Sequence, residues 1–273
     1  MRGLKTWAIW IGLQAGLCAG ANAGSFDAYI QASEQFDAQI AQSNVLPRLT
    51  DEKDAALIAT LSDRHRFLDG VQFTQTDLPV LMDVCGRADK TVVRYALFDL
   101  AGSGVDKNKP PAENAQIIAA HATKNIIAYQ DELSRLQPFL FQCLAAEMPA
   151  LAEFFAGLKP EEITPVRLDG LAMGRRGLEG TYAGMVTTIL TSKESGLTES
   201  YLTAILSSLA DASPAYASVM PLEQRERIRT MVLNSLLLAP DSLKPYIVTI
   251  VHEFEQTTCE GLCKLNLPVK NAL

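Results

Sequence analysis

Apolar residues recur at spacings of three and four along almost the whole chain, and nowhere do they alternate with polar ones over a strand-length run. Phe26, Tyr29, Ile30, Phe36 and Ile40 make one such stripe. Ile118, Ala122, Ile126, Tyr129, Leu133 and Leu136 make another. A chain with this period buries its apolar surface as helix stripes, and no hairpin signal competes with it. The pattern predicts an all-α fold, a multi-helix bundle of about nine to eleven helices. Tyr246 to Val251 is β-branched enough to read as a strand. The spacing of Leu243, Ile247, Ile250 and Phe254, with no partner strand in sight, favours helix there too. No repeat period of the solenoid kind is present.

Punctuation residues place the boundaries. Thr50-Asp51 is read as the cap of a helix running through Leu57, Leu61, Phe67 and Leu68 to Gly70. A third helix opens at Leu78, reaches Cys85 and continues from Asp89 to Leu100. Gly102 to Pro111 is the strongest loop, and the one candidate joint within a domain covering 24–273. Pro138 is expected to bend or restart the long helix before Phe139. Thr164-Pro165 and Ser213-Pro214 both look like helix starts, with a hydroxyl acceptor ahead of a first-turn proline.

Residues 1–23 read as a signal peptide. Arg2 and Lys5 precede an apolar run from Trp7 to Leu17, and Ala21-Asn22-Ala23 fits the small-residue cleavage pattern. Leu17, ahead of Cys18, is too large for a lipoprotein site. Cleavage near Ala23 removes Arg2 and Lys5, taking the net charge from −7 to −9, and removes both tryptophans and Cys18. The mature chain is expected to be periplasmic or secreted, without a transmembrane segment. Its negative balance argues against a nucleic-acid partner, whose phosphates require cations.

Few residue sets could carry chemistry. Cys259 and Cys263 are read as a disulfide closed around Gly261, because exported proteins oxidise such pairs. The alternative continues the last helix so that His252, Cys259 and Cys263 share a face as zinc ligands. Cys85 and Cys143 sit on separate helices, either as a second disulfide or as buried free thiols. Gly170, Gly174, Gly177 and Gly184 lie along one helix face at a cost of about 1 kcal/mol each. Close helix packing would offset that cost. So would a groove floor admitting a ligand, with Arg175 and Arg176 as anion donors at its edge. Arg175 and Glu179, one turn apart, could instead pair with each other. Arg64 and His65, within Asp63-Arg64-His65-Arg66, form a second basic candidate, although consecutive helical residues diverge and His65 has Asp69 one turn on. His121 on its apolar helix is read as a hydrogen-bonded core residue beside Asn125.

The chain has no Gly-rich phosphate loop, no G-x-S-x-G elbow and no H-E-x-x-H, and only three histidines. No catalytic residue is assigned, no cofactor is expected, and the chain leans away from an enzyme. The expected role is a non-enzymatic binding or interaction module of the cell envelope, taking an envelope protein or a small ligand. Two rivals are an enzyme built on carboxylates, and a carrier whose apolar pocket uses Phe139, Phe141, Phe154 or Phe155.

Overall fold

The structure, a computed structural model, describes residues 26–259 and 261–265 apart from the side chains of 192–195. The proposed signal peptide lies outside the described residues. Ten α-helices and no strand occur among them: α1 (Asp27–Ser43), α2 (Glu52–Leu61), α3 (Arg64–Phe67), α4 (Leu78–Ala96), α5 (Pro111–Ala128), α6 (Gln130–Gly157), α7 (Pro165–Ser195), α8 (Glu199–Val219), α9 (Leu222–Ser235) and α10 (Lys244–Gln256). Short 3₁₀ turns at Leu100–Ser103, Pro160–Glu162, Asp241–Leu243 and Gly261–Lys264 join or follow them.

The bundle is a row of four helices, α4, α6, α8 and α10, each packed on the next. α1, α2 and α5 pack around its α4–α6 side, while α7 and α9 pair on the other. One continuous hydrophobic core runs from Phe26 to Leu262. Its N-terminal end is aromatic. The Tyr29 and Phe139 rings stack with centroids 4.9 Å apart, and Phe67 meets both edge-on. α6 is long and apolar enough to cross a membrane by length and composition, a feature that core helices share. Here it is the central helix, with Leu133, Leu136, Phe139 and Cys143 all buried.

Asp51 caps α2, accepting from the N–H groups of Lys53 (2.9 Å) and Asp54 (3.1 Å), and Thr164 caps α7 from a first-turn proline. Four sequence readings are corrected. The helix opened at Asp51 stops at Leu61, and Asp63 caps a separate short helix, α3. α4 runs unbroken through Gly86. The interruption expected at Pro138 falls at Tyr129, whose ring packs edge-on against Tyr95 (5.4 Å) and lies under the Arg48 guanidinium (4.6 Å). The break thus lies nine residues before Pro138, which stays inside α6. Its carbonyl accepts from the Ser208 hydroxyl of α8 at 3.1 Å. Likewise Ser213-Pro214 lies inside α8, which Thr198 caps instead. The buried Ser213 hydroxyl donates to the Leu209 carbonyl (2.7 Å) and meets Tyr182 Oη at 2.7 Å.

The loop at 102–111 connects α4 to α5 and is tied down by Asn114. Its side-chain amide donates to the Asp106 carbonyl at 2.7 Å, and its oxygen accepts from the Asp106 N–H at 3.1 Å. His121 and Asn125, from α5, reach the end of α4. His121 Nε2–H donates to the Phe98 carbonyl (2.7 Å), and Asn125 donates to the carbonyls of Ala96 (3.2 Å) and Phe98 (2.9 Å). These side chains satisfy carbonyls that a helix end leaves without partners, which is the core role expected of His121.

Candidate functional site

α7 packs on α9 and touches α8, but it does not close against α4 and α6. The gap is a cleft of about 110 Å³ walled by three helices. α4 contributes Leu78, Met82 and Asp89, α6 contributes Glu147, Leu151 and the two phenylalanines Phe154 and Phe155, and α7 contributes Gly170, Gly174 and Arg175. A second, shallower groove of about 290 Å³ lies further along α7, over Gly180, Gly184 and Phe141.

Four α7 glycines line these grooves, Gly170 and Gly174 the cleft and Gly180 and Gly184 the second. A Cβ at Gly180 or Gly184 would meet no atom within 4 Å, so tight helix packing does not account for either. Gly170 and Gly174 open onto the cleft.

The cleft is built around a disulfide. Cys85 of α4 is bonded to Cys143 of α6, with Cα atoms 5.5 Å apart, and Cys85 is part of the cleft wall. One turn beyond each cysteine stands an acid, Asp89 on α4 and Glu147 on α6. Both line the cleft, and neither has a hydrogen bond or ion pair among the described residues. Glu147 is 9% exposed. Burial in this apolar wall raises its carboxyl from the ordinary 4.5 to about 8, and burial raises Asp89 in the same direction.

The arginines are, by contrast, committed. Arg175 donates from Nε to the Val219 carbonyl (2.8 Å), from one terminal nitrogen to Leu265 (2.7 Å) and from the other to Leu262 (2.7 Å). Val219 is the last residue of α8, so its carbonyl sits at the negative end of that helix. Burial lowers the Arg175 guanidinium to about 10, which leaves it charged at neutral pH. Arg167 donates to the Glu162 carbonyl and lies over the Phe154 ring.

The sequence-predicted residues are thus scattered. Arg175 reaches the cleft wall, but as a clamp on the C-terminal segment rather than an anion donor. Arg176 is exposed and does not line the cleft. Glu179 is held by Arg227 at 2.7 Å rather than by Arg175. Arg64 and His65 both turn to Asp69, at 3.4 Å and 2.5 Å, and neither lines the cleft. Of the four phenylalanines named for a carrier pocket, Phe154 and Phe155 line the cleft, Phe141 lines the second groove, and Phe139 is buried in the aromatic core.

At the C-terminus, Cys259 and Cys263 are joined as a disulfide. α10 ends at Gln256, so the helical face that would present His252 with both sulfurs does not exist, and His252 is exposed. The zinc alternative is corrected on that ground. Gly261 between the cysteines has φ +76°, the left-handed turn that glycine takes without strain. A second buried arginine, Arg225, donates to the Thr257 carbonyl just before the bridge.

The chain matches no family model, no curated protein and no solved structure. The geometry alone carries the functional reading.

Glu147 escaped the sequence reading, although it carries a signal. It is the lone acid in LFQCLAAEMPALA, an otherwise apolar stretch of α6 one turn after a cysteine. An acid so placed is either paired or poised for something from outside the chain. The structure leaves it without a partner among the described residues.

Proposed function

We propose that this protein is an exported, non-enzymatic binding module of the cell envelope, and that it takes a small ligand into the cleft between α4, α6 and α7. The observation that carries this reading is a nine-tenths buried glutamate, without a partner among the described residues, on the wall of an apolar cavity. Native chains pair nearly all such groups, because an unmatched one costs free energy. A ligand that supplies the missing partner restores the balance. The bonding of all four cysteines after residue 23 into two bridges supports an oxidising destination. Two glycines on the α7 wall support a cleft kept open for a ligand.

Native mass spectrometry of protein isolated from envelope extracts tests the cleft. A small-molecule adduct that disappears in Gly174→Leu, a change that fills the cavity, is the expected result. Protein that is bare in both forms and binds nothing added to it defeats the reading. Export has its own test. With Trp7 and Trp10 both ahead of Ala23, processed protein fluoresces from tyrosine alone. Tryptophan emission from the purified protein contradicts cleavage there.

One observation favours a second reading, an enzyme built on carboxylates: two acids share one cleft. Glu147, protonated at neutral pH, could serve as a general acid. The cleft offers those acids no nucleophile and no oriented basic partner, which is why binding is placed first.

A further inference from the structure

The charged groups of the cleft divide into used and unused, and the division has a sign. Both α7 arginines that line the cleft already donate to backbone carbonyls, while neither acid has a hydrogen bond or ion pair among the described residues. A ligand entering between them meets acceptors in need of donors. We propose that the cleft binds small amphipathic amines, the Glu147 carboxylate receiving the ammonium group while the apolar body lies against Leu151, Phe154 and Phe155. This rests on the reading of the cleft as a ligand site.

Three features of the geometry carry it. Glu147 is nine-tenths buried on the wall of the cavity, so the group that meets it must itself be desolvated and must repay that cost with a charge-assisted bond. The wall around it is leucine, methionine and phenylalanine, which favours an alkyl or single-ring body. A volume of about 110 Å³, below the cavity known to admit benzene, favours the alkyl body over the ring. An anionic ligand would find the guanidinium of Arg175 already held by three carbonyls. A purely apolar ligand would seal Glu147 away from water without a partner, at a desolvation cost.

Binding on these terms moves a proton. The unliganded carboxyl is held neutral by its surroundings. When an ammonium arrives, the carboxyl O–H ionises, its proton leaves to solvent, and the carboxylate accepts from the ammonium N–H. The groups facing Glu147 are Asp89 from α4, Arg167 and Arg175 from α7, and Tyr216 from α8. The Tyr216 hydroxyl is committed as a donor to the Phe141 carbonyl at 2.7 Å. None of them supplies a hydrogen bond to Glu147 in the unliganded state.

Calorimetric titration of the protein with hexylammonium, hexan-1-ol and hexanoate at neutral pH tests the assignment without requiring any variant. Hexylammonium should bind about tenfold or more tighter than either isostere, with release of close to one proton, read from titrations in buffers of different ionisation heat. Glu147→Gln should abolish the preference and the proton release while retaining the alcohol. If the alcohol or the carboxylate binds as tightly as the amine, or if the preference survives in Glu147→Gln, the amine assignment falls and the cleft remains an apolar ligand site. If none of the three binds, both the assignment and the cleft reading fall.

Discussion

The two halves of α6 each bury a glutamate, and the chain treats the two in opposite ways. Glu132, near the start of the helix, is 1% exposed, and its Oε1 accepts from the Leu49 N–H at 3.0 Å with Arg48 Nε at 3.3 Å. Arg48 in turn lies over the Tyr129 ring and donates to the Ala128 carbonyl at 3.1 Å. This acid pins the α1–α2 connection onto the junction of α5 and α6. Glu147, near the other end, has neither cation nor donor among the described residues, and the space beside it is open. Around Glu132 the aromatic rings fill the volume; around Glu147 two glycines leave it unfilled. Burial of a charge by itself therefore says little about function. What distinguishes the two is that Glu132 Oε1 holds a donor and a cation, with Oε2 buried and without a partner among the described residues, whereas Glu147 stands beside open space.

Four measurements would break or sharpen that contrast. The largest effect is expected at the bridge that separates the two acids along α6. Cys85 and Cys143 are 58 residues apart in sequence, so replacing both by alanine should cost about 4 kcal/mol in the chain-entropy picture. Urea unfolding measures it, and a loss confined to the half of α6 that carries Glu147, seen by hydrogen exchange, would make the bridge a local brace of the cleft rather than a global one.

The second is a pH dependence specific to Glu147. Its folded value of about 8 lies above the ordinary 4.5, so between these values the folded chain binds more protons than the unfolded one. The contribution of Glu147 to stability is then full below about pH 4.5, falls as the pH rises, and levels off above about pH 8. The span is on the order of 2–4 kcal/mol, and Asp89, raised by the same cause, adds to it with the same sign. Glu147→Gln should remove most of the slope. A variant that keeps the wild-type slope would mean that the buried acid is not the source.

The third compares the acids directly. Glu132→Leu strips the Leu49 N–H and Arg48 of their acceptor and should cost about 2–3 kcal/mol. Glu147→Leu strips nothing of a partner and should be neutral or stabilising at neutral pH. Equal losses in thermal unfolding would erase the distinction. The smallest effect belongs to the C-terminal bridge, which spans only four residues. Cys259 and Cys263 replaced by serine should lose about 1–2 kcal/mol, read as a modest fall in melting temperature. Protease cleavage in the segment that Arg175 holds is the more sensitive readout.

How far each feature could be read in advance depended on its reach along the chain. Helix identity is local: the three-and-four spacing, the Asp51 cap and the Thr164-Pro165 start are each settled within a turn or two, and the structure bears them out. The proline readings failed because a helix held on several sides tolerates a missing N–H. Pro138 and Pro214 both lie inside helices packed against neighbours, while the break falls at Tyr129. Arg175 was recognisable as a charged residue on a glycine-rich helix. That its three nitrogens meet carbonyls 44, 87 and 90 residues away was not.

The sequence alone determined that this chain would be helical, where most of its helices start, and that four cysteines follow residue 23. Those properties follow from residue spacing and composition, which need no knowledge of the rest of the molecule. Which arginine is spent and which acid is spare was decided only when α4, α6 and α7 came together. Whether a polar group is satisfied depends on atoms from several helices at once, and spacing along one helix carries no record of them.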